Sequence, residues 1–173
     1  MKKWFPLCLC LLLLLVGCSK SPNPISELGP EEVNPPITGV ANPWTEHSTL
    51  EAAEKAVGFE LSAPDSIEGY DTPIYRTLSG TMLEILYPGE SGEVRIRKQA
   101  ATDAVGGDIS GDYNEYDEYT AITTAGENTA ITLAGSGGTI SRATWTTDGY
   151  AYSITVDPAV DVLDISDWTA QVN

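Results

Sequence analysis

Residues 139–156, TISRATWTTDGYAYSITV, read as two strands around one tight turn. Polar and apolar side chains alternate with a period of two, the repeat that places successive residues on opposite faces of a sheet. Between the halves stands Asp148-Gly149. A two-residue type I′ turn needs positive φ at both central positions, which Asp and Gly tolerate. The pattern therefore predicts strands over 139–147 and 150–156.

The same alternation continues outward from this hairpin. Residues 118–124 and 128–133 alternate on either side of Gly126, and Gly135-Ser136-Gly137-Gly138 leads into the central hairpin. Earlier, 81–87 places Leu83, Ile85 and Tyr87 on one face. After the turn Pro88-Gly89-Glu90-Ser91, 92–99 places Val94 and Ile96 on one face, with Arg95 and Arg97 on the other. Helices bracket these strands. Ser48-Thr49-Leu50-Glu51 reads as a capping box with Ser48 as the cap. Leu50, Ala53 and Val57 then share a face, and Gly58 supplies a left-handed stop. Near the end Ile165, Trp168 and Val172 recur at helical spacing. The expected fold is α+β: a curved antiparallel sheet of about six to eight strands, with short N- and C-terminal helices packed on one face. Trp145, Tyr150, Tyr152 and Trp168 are expected to supply much of its core.

Composition narrows the function. The 173 residues include 25 acidic and 9 basic side chains, for a net charge of −16. Such a chain lacks the basic face that phosphate contacts need, which excludes a nucleic-acid partner. Catalysis finds little support, because the one histidine, His47, falls just before the first helix and beside a proline-rich stretch, where it reads as solvated. No catalytic residue is assigned. The alternative is an envelope hydrolase working through paired carboxylates, since an acidic chain offers many pairs.

Two clusters are candidates for binding. Asp103, Asp108, Asp112, Glu115, Asp117 and Glu118 occur without an intervening base. Within them Asp108, Asp112, Asn114 and Asp117 are candidate calcium ligands, hard oxygens in a Gly-containing loop. The spacing departs from an EF-hand, because Gly111 is misplaced and Tyr119 stands where the bidentate glutamate belongs. Calcium is the one cofactor considered. Tyr113, Tyr116 and Tyr119 in this window are a candidate aromatic surface. Arg95 and Arg97 form the second cluster, candidate contacts for an anionic ligand, with cross-strand pairing to Glu84 as the competing use.

The beginning of the chain reads as an address. Lys2 and Lys3 precede an apolar run, 4–16, that is shorter than the about 20 residues of a spanning helix. The run ends in Leu15-Val16-Gly17-Cys18, which resembles the lipobox of bacterial lipoproteins. That resemblance implies cleavage before Cys18, a diacylglyceryl group on its sulfur, and a protein anchored to the cell membrane and facing the extracellular side. Cys8 and Cys10 leave with the leader, and loss of Lys2 and Lys3 takes the charge from −16 to −18. Residues 18–43 then form a spacer rich in proline (Pro22, Pro24, Pro30, Pro35, Pro36 and Pro43). Three parts are expected: a leader over 1–17, a lipidated linker over 18–43 and one domain over 44–173.

Residues 53–70, AEKAVGFELSAPDSIEGY, carry a second resemblance. A helix ending at Gly58-Phe59, an extended Leu-x-x-Pro and then Gly69-Tyr70 are similar to a domain of unknown function. That domain is common in lipoproteins and in the outer regions of anti-sigma proteins of Gram-positive bacteria. The strand holding Trp145, the Asp-Gly turn and the aromatic strand after it also match. The resemblance carries over no catalytic residue. It implies a non-catalytic surface module that binds a ligand or partner, a protein or cell-wall component, or senses envelope state.

Overall fold

The computed structural model describes residues 42–102, 107–123 and 129–173, with the backbone alone for 118–123. The leader, Cys18, the spacer as far as residue 41, Asp103 and the Gly126 turn lie outside the described residues, as do the side chains of Glu118 and Tyr119. Along the chain run β1 (Trp44–His47), α1 (Leu50–Val57), β2 (Ile74–Leu78), β3 (Met82–Gly89) and β4 (Gly92–Ala100). They are followed by β5 (Asp117–Thr123), β6 (Thr129–Ser136), β7 (Thr139–Thr147), β8 (Tyr150–Val160) and α2 (Val162–Thr169).

Among the described residues the eight strands form one open antiparallel sheet in the order β1-β2-β3-β4-β8-β7-β6-β5. The expected α+β architecture is observed. Two meanders, β1 to β4 and β5 to β8, meet side by side where β4 pairs with β8.

Turn chemistry sets the registers. Asp148 and Gly149 take φ of 50° and 78°, and Thr147 pairs with Tyr150 across them, so the central hairpin forms as its sequence predicts. The β3–β4 turn is tighter than expected. Gly89 pairs with Gly92, which leaves Glu90-Ser91 as the turn and draws Pro88 into β3. The α1 cap also sits one residue later, on Thr49, whose hydroxyl accepts from the Ala52 amide at 3.2 Å. Gly58 ends that helix at φ 83°. Val172 lies beyond α2, yet it is buried with Ile165.

The two faces of the sheet are covered differently. On the first, Leu83, Ile85 and Tyr87 of β3, Val94 and Ile96 of β4, and Tyr152, Ile154 and Val156 of β8 pack with Ala53 of α1 and Ile165 of α2. Trp145 stacks on Tyr152 with ring centroids 5.2 Å apart and planes 4° from parallel. Such a pair contributes about 0.5–1.5 kcal/mol beyond the area it buries. The second face carries arginines, a glutamate, threonines and serines, and is covered in part by the chain between β4 and β5. That cover positions the candidate site.

Candidate functional site

Period-two alternation on three neighbouring strands brings Arg76, Glu84 and Arg97 into one cross-strand row on the second face. Glu84 is fully buried. Its Oε1 accepts from Arg76 Nε, and its Oε2 accepts from Arg97 Nε at 2.6 Å. Trp44, at the start of β1, lies over both guanidiniums, with centroid distances of 4.7 Å to Arg76 and 5.4 Å to Arg97. Ser153 continues the row in β8, buried. One carboxylate between two guanidiniums leaves an excess of positive charge, which buried surroundings penalise. The loop offsets it: Arg97 Nη1 donates to the carbonyls of Ile109, at 3.0 Å, and of Ser110. Arg97 thereby holds residues 109–110 against the sheet, and both are buried.

Beyond that clasp, the loop caps itself at every second residue. The Ser110 amide donates to Asp108 Oδ1 at 2.9 Å, the Asp112 amide to Ser110 Oγ at 3.1 Å, and the Asn114 amide to Asp112 Oδ1 at 3.0 Å. Short polar side chains reach their own backbone two residues on. The i, i+2 spacing that resembles a calcium loop thus forms a run of turns. Asp108 also pairs with Arg142 at 3.3 Å, and Arg142 Nη1 donates to the Asp112 carbonyl at 2.8 Å. Asn114 Nδ2 donates to Asp112 Oδ1 at 2.8 Å and to the Tyr116 hydroxyl at 3.1 Å. Asp117 stands apart, exposed at the start of β5 opposite Gly135. Among the described residues no group of three His, Cys, Asp or Glu side chains is placed to hold a metal ion.

Between the loop and the sheet lies a groove of about 510 Å³. The loop contributes Asp112, Tyr113, Asn114 and Tyr116; the sheet contributes Glu93 and Arg95 of β4, Ser141 of β7, and Thr155 and Asp157 of β8. Tyr113 is 95% exposed. Arg95 lines the groove but is held by Glu93 two residues away, with Nε to Oε1 at 2.6 Å. The two arginines proposed as anion contacts are therefore separated in role. Arg97 is buried on Glu84 and the loop carbonyls, and Arg95 is neutralised by its neighbour. Period-two alternation put both on one face correctly, and the cross-strand pairing with Glu84 expected as the competing use is made by Arg97, while Arg95 pairs within its own strand.

Lys98 lies on the opposite, apolar face. Its Nζ donates to the Glu60 carbonyl at 2.7 Å and lies 4.7, 5.1 and 5.8 Å from the ring centroids of Tyr150, Tyr152 and Phe59. Burial lowers its pKa, opposed by Glu54, Glu60 and Asp148. Its parity with Val94 and Ile96 is the sequence signal for this placement. His47 is half-buried in the edge strand β1, with Nε2 3.0 Å from Thr77 Oγ1, rather than solvated at a helix start. The groove residues Ser141, Thr155 and Asp157 had no local signal, because only strand pairing brings them to the loop.

Comparison with protein families, curated proteins and solved structures finds no match for this chain.

Proposed function

We propose that the chain is a lipid-anchored, non-catalytic binding module on the outer side of the cell membrane, with the groove beneath residues 111–116 as its binding surface. The observation that carries this reading is the groove itself. Its size falls within the about 300–1,000 Å³ of small-ligand sites, and a loop held by Arg97 and Arg142 preforms one wall. Glu93 and Asp112 accept from Arg95 and from Asn114. Two of the groove's carboxylates are thus already engaged within the chain, which supports a binding role. The anchor in this reading rests on the lipobox around Cys18 and its charged, apolar leader.

Both halves are testable in the full chain expressed in a bacterium that processes lipoproteins. The wild type should lose residues 1–17 and partition into detergent, whereas Cys18→Ser should keep its leader. A photo-crosslinking residue at 113 should capture a cell-surface component, and one at Leu163, also exposed, should not. Wild-type chain recovered from the cytosol with its leader intact, or equal capture at both positions, would overturn the proposal.

A further inference from the structure

We propose that the groove takes a neutral, polyhydroxylated chain, a hexose-based glycan, with the Tyr113 ring as its stacking platform. The inference rests on reading the groove as a binding surface and goes on to the class of ligand. Charge comes first. Three carboxylates (Glu93, Asp112 and Asp157) line the groove against one guanidinium, Arg95, which is itself paired with Glu93. An anionic polymer meets no uncompensated cation there, and the strongly acidic chain repels it further. The surplus of carboxylate over guanidinium lies on acceptor oxygens that a hydroxylated ligand can also meet, with Glu93 already accepting from Arg95 and Asp112 from Asn114.

Beside these oxygens the groove offers further hydrogen-bonding groups. Ser141 and Thr155 bring hydroxyls, Tyr113 and Tyr116 bring phenols, and Asp157 brings carboxylate oxygens. Arg95 has five N–H donors, of which two face Glu93. Groups that both donate and accept, fixed along a trench, match a ligand whose hydroxyls do the same. The ring at the rim supplies the apolar half of such a site. Tyr113 leaves nearly its whole surface in water, although tyrosine commonly buries about 150–250 Å². An aromatic face carries negative potential, so it attracts the slightly positive C–H face of a pyranose, and it does so without a charged partner. Tyr116 beside it is half-buried and fixed by Asn114, which limits the ordering cost on binding.

The test uses the full chain in detergent micelles, titrated with chitohexaose, cellohexaose and maltohexaose as neutral probes and with polygalacturonate and hexalysine as charged ones. Chemical-shift mapping reports the site. At least one neutral probe should perturb residues 111–116, Arg95 and Thr155. Tyr113→Ala should weaken it by about tenfold or more, while Tyr113→Phe, which keeps the ring, should stay within about threefold. Because Tyr113 is exposed, both variants should melt with the wild type. Three results would overturn the proposal: no neutral probe binding in the groove, neutral binding indifferent to Tyr113→Ala, or a charged polymer occupying the groove instead. If capture on cells through position 113 succeeds while the glycans fail, the ligand class alone is wrong. If capture fails as well, the groove is not the binding surface.

Discussion

At the scale of single residues, Glu84 links strand pairing to loop placement. It is wholly buried between two arginines, so losing its charge leaves two desolvated guanidiniums without their counter-ion. Breaking a buried pair from one side typically costs about 3–5 kcal/mol, whereas replacing both partners by apolar groups is often close to neutral. Glu84→Leu should therefore lower the urea midpoint strongly, and the Glu84→Leu, Arg97→Met double variant should regain part of the loss, the remainder falling on Arg76, which keeps 20% of its side chain in water. The same double variant removes the donor to the Ile109 and Ser110 carbonyls. Amide exchange should accordingly speed up across residues 109–114 even where global stability has partly recovered. Equal protection of those amides in wild type and double variant would show that Arg97 does not position the loop.

For the elements, the loop is the part most exposed to a small change. Gly111 takes φ of 67°, and a Cβ there would stand 2.7 Å from Arg97 Nη1. Gly111→Ala combines a left-handed backbone with that close approach, at a cost of about 1–3 kcal/mol. Hydrogen exchange should show it: faster exchange confined to 108–114, with the β7 and β8 amides unchanged. The contrast between hairpins and loop also marks what sequence alone reveals. Asp148-Gly149 and the alternating residues beside it specify a strand pair locally, so β7 and β8 could be read directly. β1 and β2 could not. Four residues of β1 beside a proline-rich stretch carry too little pattern, and their pairing of Trp44 with Leu78 depends on tertiary placement. The groove was hidden for the same reason, since Arg95, Ser141 and Thr155 converge only after β4, β8 and β7 have aligned. Asp108, Asp112 and Asn114 were visible as a cluster, but not the turns in which Asp108 Oδ1 and Asp112 Oδ1 accept from backbone amides two residues on.

Across the whole molecule, alkaline pH separates two kinds of buried group. Burial raises the pKa of Tyr87, aided by Tyr75 and Asp65, and raises that of Tyr152, aided by Asp148 and Tyr150. The unfolded chain then releases these protons first, so their contribution is fully present below the unfolded-state value of about 10 and is lost above it, as pH rises through the raised folded-state pKa. Lys98 acts in the opposite sense. With its folded pKa lowered, the native state binds fewer protons just below pH of about 10.4, and stability from this group climbs towards that value. A urea midpoint measured from pH 8 to 12 should rise slightly and then fall. Lys98→Met should flatten the rise, and Tyr87→Phe should soften the fall even though it loses the hydrogen bond to the Pro64 carbonyl. Parallel curves for Tyr87→Phe and wild type above pH 10 would refute the assignment.

The junction of β4 with β8 has a kinetic consequence. Each meander can zip through neighbouring hairpins, but Ile96 meets Ile154 only after the intervening chain has been looped back, at an entropic cost that no local contact offsets. The rate-limiting event should be the docking of two preformed halves. Ile96→Val should then slow refolding, and Ile131→Val, inside a half already formed at the barrier, should leave the unfolding rate nearly unchanged.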